Sequence, residues 1–208
     1  MADQKRPYNK KRRAELEERT RRRITESAVA LHGSLGPSRT SISAVAEHAG
    51  VRRSTVYRHF PDEAALFAAC SSHWARANPV PDLARWAAIE DPDERVRRAL
   101  GELYGYYGRT ERMLDNLFRD EERVPSVKRS FRGFRDYIAA ARDTLMAGRS
   151  ERGRARERVA AGIGHGLAFA TWKSLVREQG LDDSGAAELI CRLVAAAATG
   201  SPPRSRST

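Results

Sequence analysis

Apolar residues return along this chain at three- and four-residue steps with polar residues between them. No stretch alternates with period two, so the pattern predicts an all-α protein without a sheet. A first helix is expected from about Arg13 to Leu35, with Leu16, Ile24, Ala28, Leu31 and Leu35 on one stripe. Glu15 precedes Arg19, Glu17 precedes Arg21 and Glu18 precedes Arg22 by four residues. That is the favourable order for helical ion pairs, each contributing about 0.2–0.5 kcal/mol. Such pairs partly neutralise the arginines, so Arg19 to Arg23 read as a solvated face and not as readers of a ligand. Gly36, Pro37 and Ser38 form the loop that follows.

From Thr40 to Phe60 the pattern predicts two short helices joined by a tight turn. Ser41 is an N-cap candidate, and Ile42, Val45 and Ala46 after it share one apolar face. Gly50 can adopt the left-handed backbone that ends a helix and redirects the chain. Val51 plugs the turn, Val56 faces inward from the second helix, and Phe60 before Pro61 ends it. Steeply crossed helices need a small residue where they touch, a glycine at the bend and a branched apolar residue on the second helix. Ala46, Gly50 and Val56 meet those needs in that order, which is helix-turn-helix geometry. An ordinary helical hairpin shares this core, and the outward face separates the two. From Val51 to Phe60 there is no carboxylate, but there are Arg52, Arg53 and Arg58, Ser54 and Thr55, Tyr57 and His59, a surface suited to phosphates.

Beyond Pro61, Asp62 caps a fourth helix bearing Ala65, Leu66, Ala69 and Trp74, which ends before Pro79 and Pro81. Asp91, Pro92 and Glu94 form the next clear start, an N-cap acid, a first-position proline and a capping-box glutamate. Val96, Leu100, Leu103, Tyr104 and Tyr107 follow on one stripe. Met113, Leu114, Leu117 and Phe118 sit on a next helix that gives out by Pro125. Phe131, Phe134, Tyr137, Ile138 and Leu145 line a third, and Gly148 to Gly153 make a loop. Gly162, Gly166 and Ala170 then fall at i, i+4 and i+8 as a smooth track, beside a bulky track of His165, Phe169, Trp172 and Val176. Together they span an apolar arc of roughly 160°. With a last helix from Ala186 to Ala198 bearing Leu189 and Leu193, this pair is expected to build a dimer interface of four helices about a two-fold axis. A wholly intramolecular pair is the alternative.

Charge sharpens the division of the chain. The formal net charge is +11, and residues 1–60 hold 14 Lys and Arg against 6 Asp and Glu, a local +8. The basic excess therefore belongs to the segment with the helix-turn-helix, the footprint of a polyanionic partner. Lys5, Arg6, Lys10, Lys11, Arg12 and Arg13 lie in a stretch with almost nothing apolar to bury, so residues 1–13 are expected to be a disordered basic arm that can lie in a neighbouring minor groove; a merely solubilising tail is the alternative. No run of about 18 apolar residues exists and no apolar segment follows the basic start, which predicts a soluble, cytoplasmic protein. Cys70 and Cys191 sit in apolar helical pattern and read as reduced buried thiols in preference to redox sensors. Histidines lack metal-ligand spacing, GIGHG follows no strand and no GxSxG elbow occurs, so neither catalysis, a metal nor a cofactor is expected.

The run AGVRRSTVYRHFPDEAALF, preceded by SISAVAEH and by the basic helix ending near Leu35, resembles the N-terminal DNA-binding domain of the TetR family of transcriptional regulators. Ala49, Gly50, Val51, Thr55, Tyr57, Phe60, Leu66 and Phe67 carry the match, over roughly residues 20 to 75. One departure is Arg52, where the family commonly has a small hydroxyl residue that caps the recognition helix. The resemblance implies a three-helix DNA-binding domain over 14–78, a helical effector-binding and dimerisation domain over 79–199, and leaves 200–208 as a disordered tail. It further implies a homodimeric, ligand-responsive regulator, usually a repressor on a palindromic operator, in which the fourth helix links head to body. Arg53, Ser54 and Tyr57, with Arg52, are the expected base contacts; Ser41, Ser43, Thr55, Arg58 and His59 are the expected phosphate contacts. Tyr104, Tyr107, Met113, Phe118, Phe134, Tyr137, His165, Phe169 and Trp172 are the expected walls of an effector pocket. Gly162, Gly166, Ala170, Leu189 and Leu193 are the expected dimer contacts. A sequence-indifferent architectural DNA-binding protein without effector is the rival reading.

Overall fold

The computed structural model describes residues 5–199, and among them every regular element is helical. The order is α1 (Lys5–Ser34), a 3₁₀ turn (Pro37–Arg39), α2 (Ile42–His48), α3 (Arg53–His59), α4 (Glu63–Ala77), α5 (Leu83–Ala87), α6 (Pro92–Asp120), α7 (Pro125–Met146), α8 (Gly153–Gly166), α9 (Phe169–Lys173), a π-helical turn (Ser174–Glu178) and α10 (Asp183–Thr199). The chain divides into two compact units. One comprises the residues up to Pro79 with Glu111–Arg132; the other comprises Val80–Thr110 and the chain from Gly133.

In the first unit, Ile24 and Ala28 of α1, Ile42, Val45 and Ala46 of α2, Val56 of α3, and Leu66 and Cys70 of α4 close a core with Ala49 and Phe60. Asp62 caps α4 by accepting the Ala65 amide at 2.7 Å. Burial pushes the Cys70 thiol up to about 12, so it stays an inert core group. The segment Glu111–Arg132 joins this unit through polar bonds to the far end of α1. Asn116 donates to the carbonyls of His32 and Gly33, both at 2.9 Å, and Arg119 donates to Leu35 O at 3.0 Å. The fully buried Asp120 accepts the Ser38 amide at 2.9 Å and pairs with Arg119 at 3.0 Å. Carbonyls at the end of α1 and just beyond it thus accept bonds from side chains some 80 positions downstream.

In the second unit, Tyr104, Tyr106 and Tyr107 are buried with Trp86, Phe169 and Trp172 around α6. Asp91 caps α6 through the amides of Asp93 and Glu94, as its sequence predicts. Buried Arg95 gathers the carbonyls of Ile89, Thr144 and Ala147, closing the C-terminal end of α7.

Four expectations change. First, α1 begins at Lys5, so residues 5–13 continue a helix where a disordered arm was expected; Pro7 falls in the first turn, where a missing N–H is harmless, and nothing after it breaks the helix. Residues 1–4 and the tail from 200 to 208 lie outside the described residues. Second, among the described residues Arg13–Glu17 and Arg22–Glu26 are the ion pairs formed on α1, while Arg21 turns to α3, and Leu16 and Leu35 stay exposed. Third, the stretches around Tyr107 and Met113 belong to one helix, because no proline separates them. Fourth, the predicted track from Gly162 to Val176 does not lie on one helix. α8 stops at Gly166 and Ala168 is extended (φ −74°, ψ 133°). The buried hydroxyls of Tyr104 and Tyr107 donate to Gly166 O at 2.9 Å and Leu167 O at 2.6 Å, bonding carbonyls at the break. Before the break, Gly162 and Gly166 face Val194 and Ile190 of α10 in the same chain, so that part of the smooth track serves the intramolecular helix pair.

Candidate nucleic-acid interface

The bend between α2 and α3 forms as its sequence dictates. Ser41 Oγ accepts the Ala44 amide at 3.1 Å, Gly50 takes φ 61°, and the Val51 amide returns to Ala46 O at 2.9 Å. Val56 is buried, which fixes the rotation of α3 and turns Arg53, Ser54, Tyr57 and Arg58 outward. Thr55 is half-buried, and Ser41, Ser43 and Arg52 are exposed. Arg52 is the N-cap residue of α3 with an extended backbone and makes no side-chain cap bond, so its guanidinium is not spent on its own helix.

Within this face Arg53 and Tyr57 act as a pair. The guanidinium donates to the phenol oxygen at 3.2 Å and lies over the ring, 5.6 Å from its centre. One helical turn separates them, so the pair sets two planar groups side by side on the exposed face of α3. His59 differs from its expected companions. It is half-buried, with Nε2 enclosed and lacking a hydrogen-bond partner. Burial, followed by the nearby charges of Arg58 and Arg21, lowers its pKa, which favours the neutral ring.

What holds α3 in place is not marked in the sequence. Arg21 donates to His59 O at 2.6 Å and sits 4.2 Å over the Phe60 ring, so α1 satisfies the C-terminal end of α3 and fixes its rotation.

The residues expected to wall an effector pocket separate. Tyr104, Tyr107, Phe134, Tyr137, Phe169 and Trp172 come together in the second unit, where Tyr107 meets Phe169 edge-on at 5.4 Å and Phe134 stacks on Tyr137 at 6.3 Å. Tyr137 donates to Pro81 O at 3.0 Å. Met113 and Phe118 belong to the first unit, where Phe118 meets Phe131 edge-on. His165 is exposed, its ring 3.4 Å from Thr171 Oγ1. A groove of about 940 Å³ also runs between α6 and α10, lined by Arg97, Gly101, Ala187 and Cys191 among others. Among the expected dimer residues, Leu189 and Leu193 are exposed one turn apart on α10, Ala170 is exposed, Gly162 is half-buried and Gly166 is buried.

No helix of the described residues is long and apolar enough to cross a membrane, and among them no three His, Cys, Asp or Glu are grouped to hold a metal ion.

Residues 24–70 match the family model described as bacterial regulatory proteins, tetR family. A TetR-like transcriptional regulator from Rhodococcus sp. RHA1 shares the fold over 88% of this chain and 97% of its own, at 24% identity and a TM-score of 0.64. A tetR-family transcriptional regulator from Streptomyces coelicolor does so over 85% and 78%, at 22% identity and a TM-score of 0.55. The multidrug binding protein EbrR, solved with imidazole, covers 83% of this chain and 88% of its own, at 20% identity and a TM-score of 0.50. No curated protein matches the chain.

Proposed function

We propose, for a chain whose head belongs to the tetR family of bacterial regulatory proteins and whose fold is that of its regulators, that it is a homodimeric, ligand-responsive repressor of transcription. The observation that carries the DNA-binding part is the face of α3. Burial of Val56 on one side leaves Arg53, Ser54, Tyr57 and Arg58 on the other, without a carboxylate between Val51 and Phe60. Arg53, Ser54 and Tyr57 read base edges in the major groove, with Arg52 at the helix entry. Ser41, Ser43, Thr55 and Arg58 hold phosphates and set the register. His59 can offer only the edge away from its enclosed Nε2.

Leu189 and Leu193, exposed one turn apart on α10, are free of the chain's own core and open to a second copy, which supports the dimer. The effector is inferred from the likeness to the family, the multidrug binding protein that shares this fold being solved in complex with imidazole; Tyr104, Tyr107 and Trp172 themselves are fully buried against one another.

Selection of the purified protein on a random DNA library at near-physiological salt tests the reading. A palindrome with half-sites one helical turn or a multiple apart is expected, and Arg53→Ala should relax preference at one position per half-site by about 1–3 kcal/mol. Affinity that follows DNA length alone, with no enriched sequence, would favour the architectural reading instead.

A further inference from the structure

The basic segment ahead of the head is helical, and this changes what it can do. α1 is 30 residues long, roughly 45 Å, yet the first of its fully buried core residues is Ile24. Lys10 to Arg19 are all exposed. Between Lys5 and Arg23 the chain has ten Lys and Arg (Lys5, Arg6, Lys10, Lys11, Arg12, Arg13, Arg19, Arg21, Arg22, Arg23) and three acids (Glu15, Glu17, Glu18), a local +7. No acid occupies the first turn, so the positive end of the helix dipole meets more positive charge. Packing does not explain such an overhang, and its own electrostatics oppose it. A polyanion would reverse both.

Its placement supplies the partner. Arg21 is bonded to His59 O and stacked on Phe60, so the overhang leaves the head beside the C-terminal end of α3, on the element that faces DNA. An α-helix with side chains is about 10–12 Å across, whereas the minor groove of B-DNA is about 6 Å wide. A helical arm cannot thread that groove as an extended arm would.

We infer that the first turns of α1 form a rigid basic spur that engages the phosphate backbone of duplex DNA beyond the half-site read by α3. This rests on the DNA-binding reading above and deepens it. The spur adds affinity and salt dependence but no base preference. Because it continues the helix that fixes α3, it sets the direction of approach as well as the charge.

The test separates a spur from a flexible arm. Three proteins are compared with the wild type on a labelled mixed-sequence duplex of roughly 30 base pairs, by fluorescence anisotropy across a salt series. They are a deletion of residues 1–13, Ala14→Pro, and Ala14→Gln as a control that keeps the helix. The proline retains every charge but breaks the helix just beyond Lys10 to Arg13. The deletion removes six cations, five of which a helix sets within one arc of about 160° at 100° per residue. It should therefore flatten the slope of log K against log salt by about four units. Ala14→Pro should reproduce most of that loss, while Ala14→Gln follows the wild type. Far-UV circular dichroism melts should show the head intact in all three. Wild-type behaviour of Ala14→Pro beside a flattened deletion would mean a flexible arm and overturn the spur. An unchanged slope in both would mean that the segment does not touch DNA, which also overturns it. Failure of the wild type to bind the duplex at low salt would instead sink the DNA-binding reading itself.

Discussion

His32 makes the head sensitive to mild acid. The residue lies in the last turns of α1, its ring 5.2 Å from Phe67 and buried beside Asp120. Burial lowers its pKa from 6.5 to about 4, against the opposing pull of the Asp120 carboxylate. An unfolded chain takes up the proton near pH 6.5, whereas the folded head resists it until about pH 4. The stabilisation from keeping this ring neutral is therefore complete above pH 6.5 and disappears as the pH falls toward 4. A shift of this size corresponds to about 3 kcal/mol in all, and to about 2 kcal/mol already lost at pH 5. Asp120 does not confuse the window. Burial alone would raise its pKa, but the bonds from Arg119 and the Ser38 amide leave it lowered. Its contribution therefore persists down to the ordinary carboxylate range, about pH 4, and vanishes below it. His59 shifts in the same direction as His32, so the comparison must be between variants and not between pH values alone. Urea denaturation of wild type and His32→Gln, followed by circular dichroism at about pH 7, 6 and 5, makes it. Between the extremes the wild type should lose about 2 kcal/mol more than the variant. Parallel pH profiles would refute the reasoning, because the burial of this imidazole would then carry no proton linkage.

Two other substitutions probe joints that the fold depends on. Gly36 has φ 96°, and a Cβ there would stand 2.7 Å from Asp120 Oδ2 and against the Arg119 guanidinium; Gly148, at φ 73°, has nothing within 4 Å. Gly36→Ala should therefore cost about 1–3 kcal/mol for the backbone alone and more for the displaced side chains, clearly exceeding Gly148→Ala in thermal melts; equal losses would count against the packing argument. Tyr107→Phe leaves the Leu167 carbonyl without the hydroxyl that it accepts at the α8–α9 break, and should destabilise by about 1–3 kcal/mol in denaturant titrations; no loss would mean that the break is set elsewhere.

What the sequence could reveal was governed by range. The α2–α3 bend rests on residues within ten positions of each other, Ala46, Gly50, Val51 and Val56, so their spacing carries the geometry directly. The caps at Ser41, Asp62 and Asp91 are local in the same sense. Arg21 was illegible because its partner is 38 positions away, and nothing in a row of arginines marks the one that turns inward. The break after Gly166 was missed because periodicity assumes an unbroken helix, while the tyrosine hydroxyls bonded there come from α6. The groove between α6 and α10 is a product of packing, and no motif announces it.

Asp120 shows how far such distant partners reach into the proposed function. Arg21 and His32, 11 positions apart on α1, tie that helix to the C-terminal end of α3 and to Asn116. The same α1 terminus leads through Gly36 and Ser38, the latter held by Asp120, into the turn that starts α2. Residues away from the proposed DNA-reading face thus hold the helix against which α3 is set. Asp120→Asn keeps the shape and an acceptor for the Ser38 amide but removes the charge opposed to Arg119. Arg119 is partly exposed, so solvent screening keeps the loss small. The head should stay folded and present the same cations. Its salt slope on mixed-sequence DNA should therefore match the wild type, while its preference for a selected operator over that DNA falls, because a less firmly held α3 reads bases less well. Unchanged preference would show that α3 is set by its own core contacts and that the Asp120 link contributes stability alone.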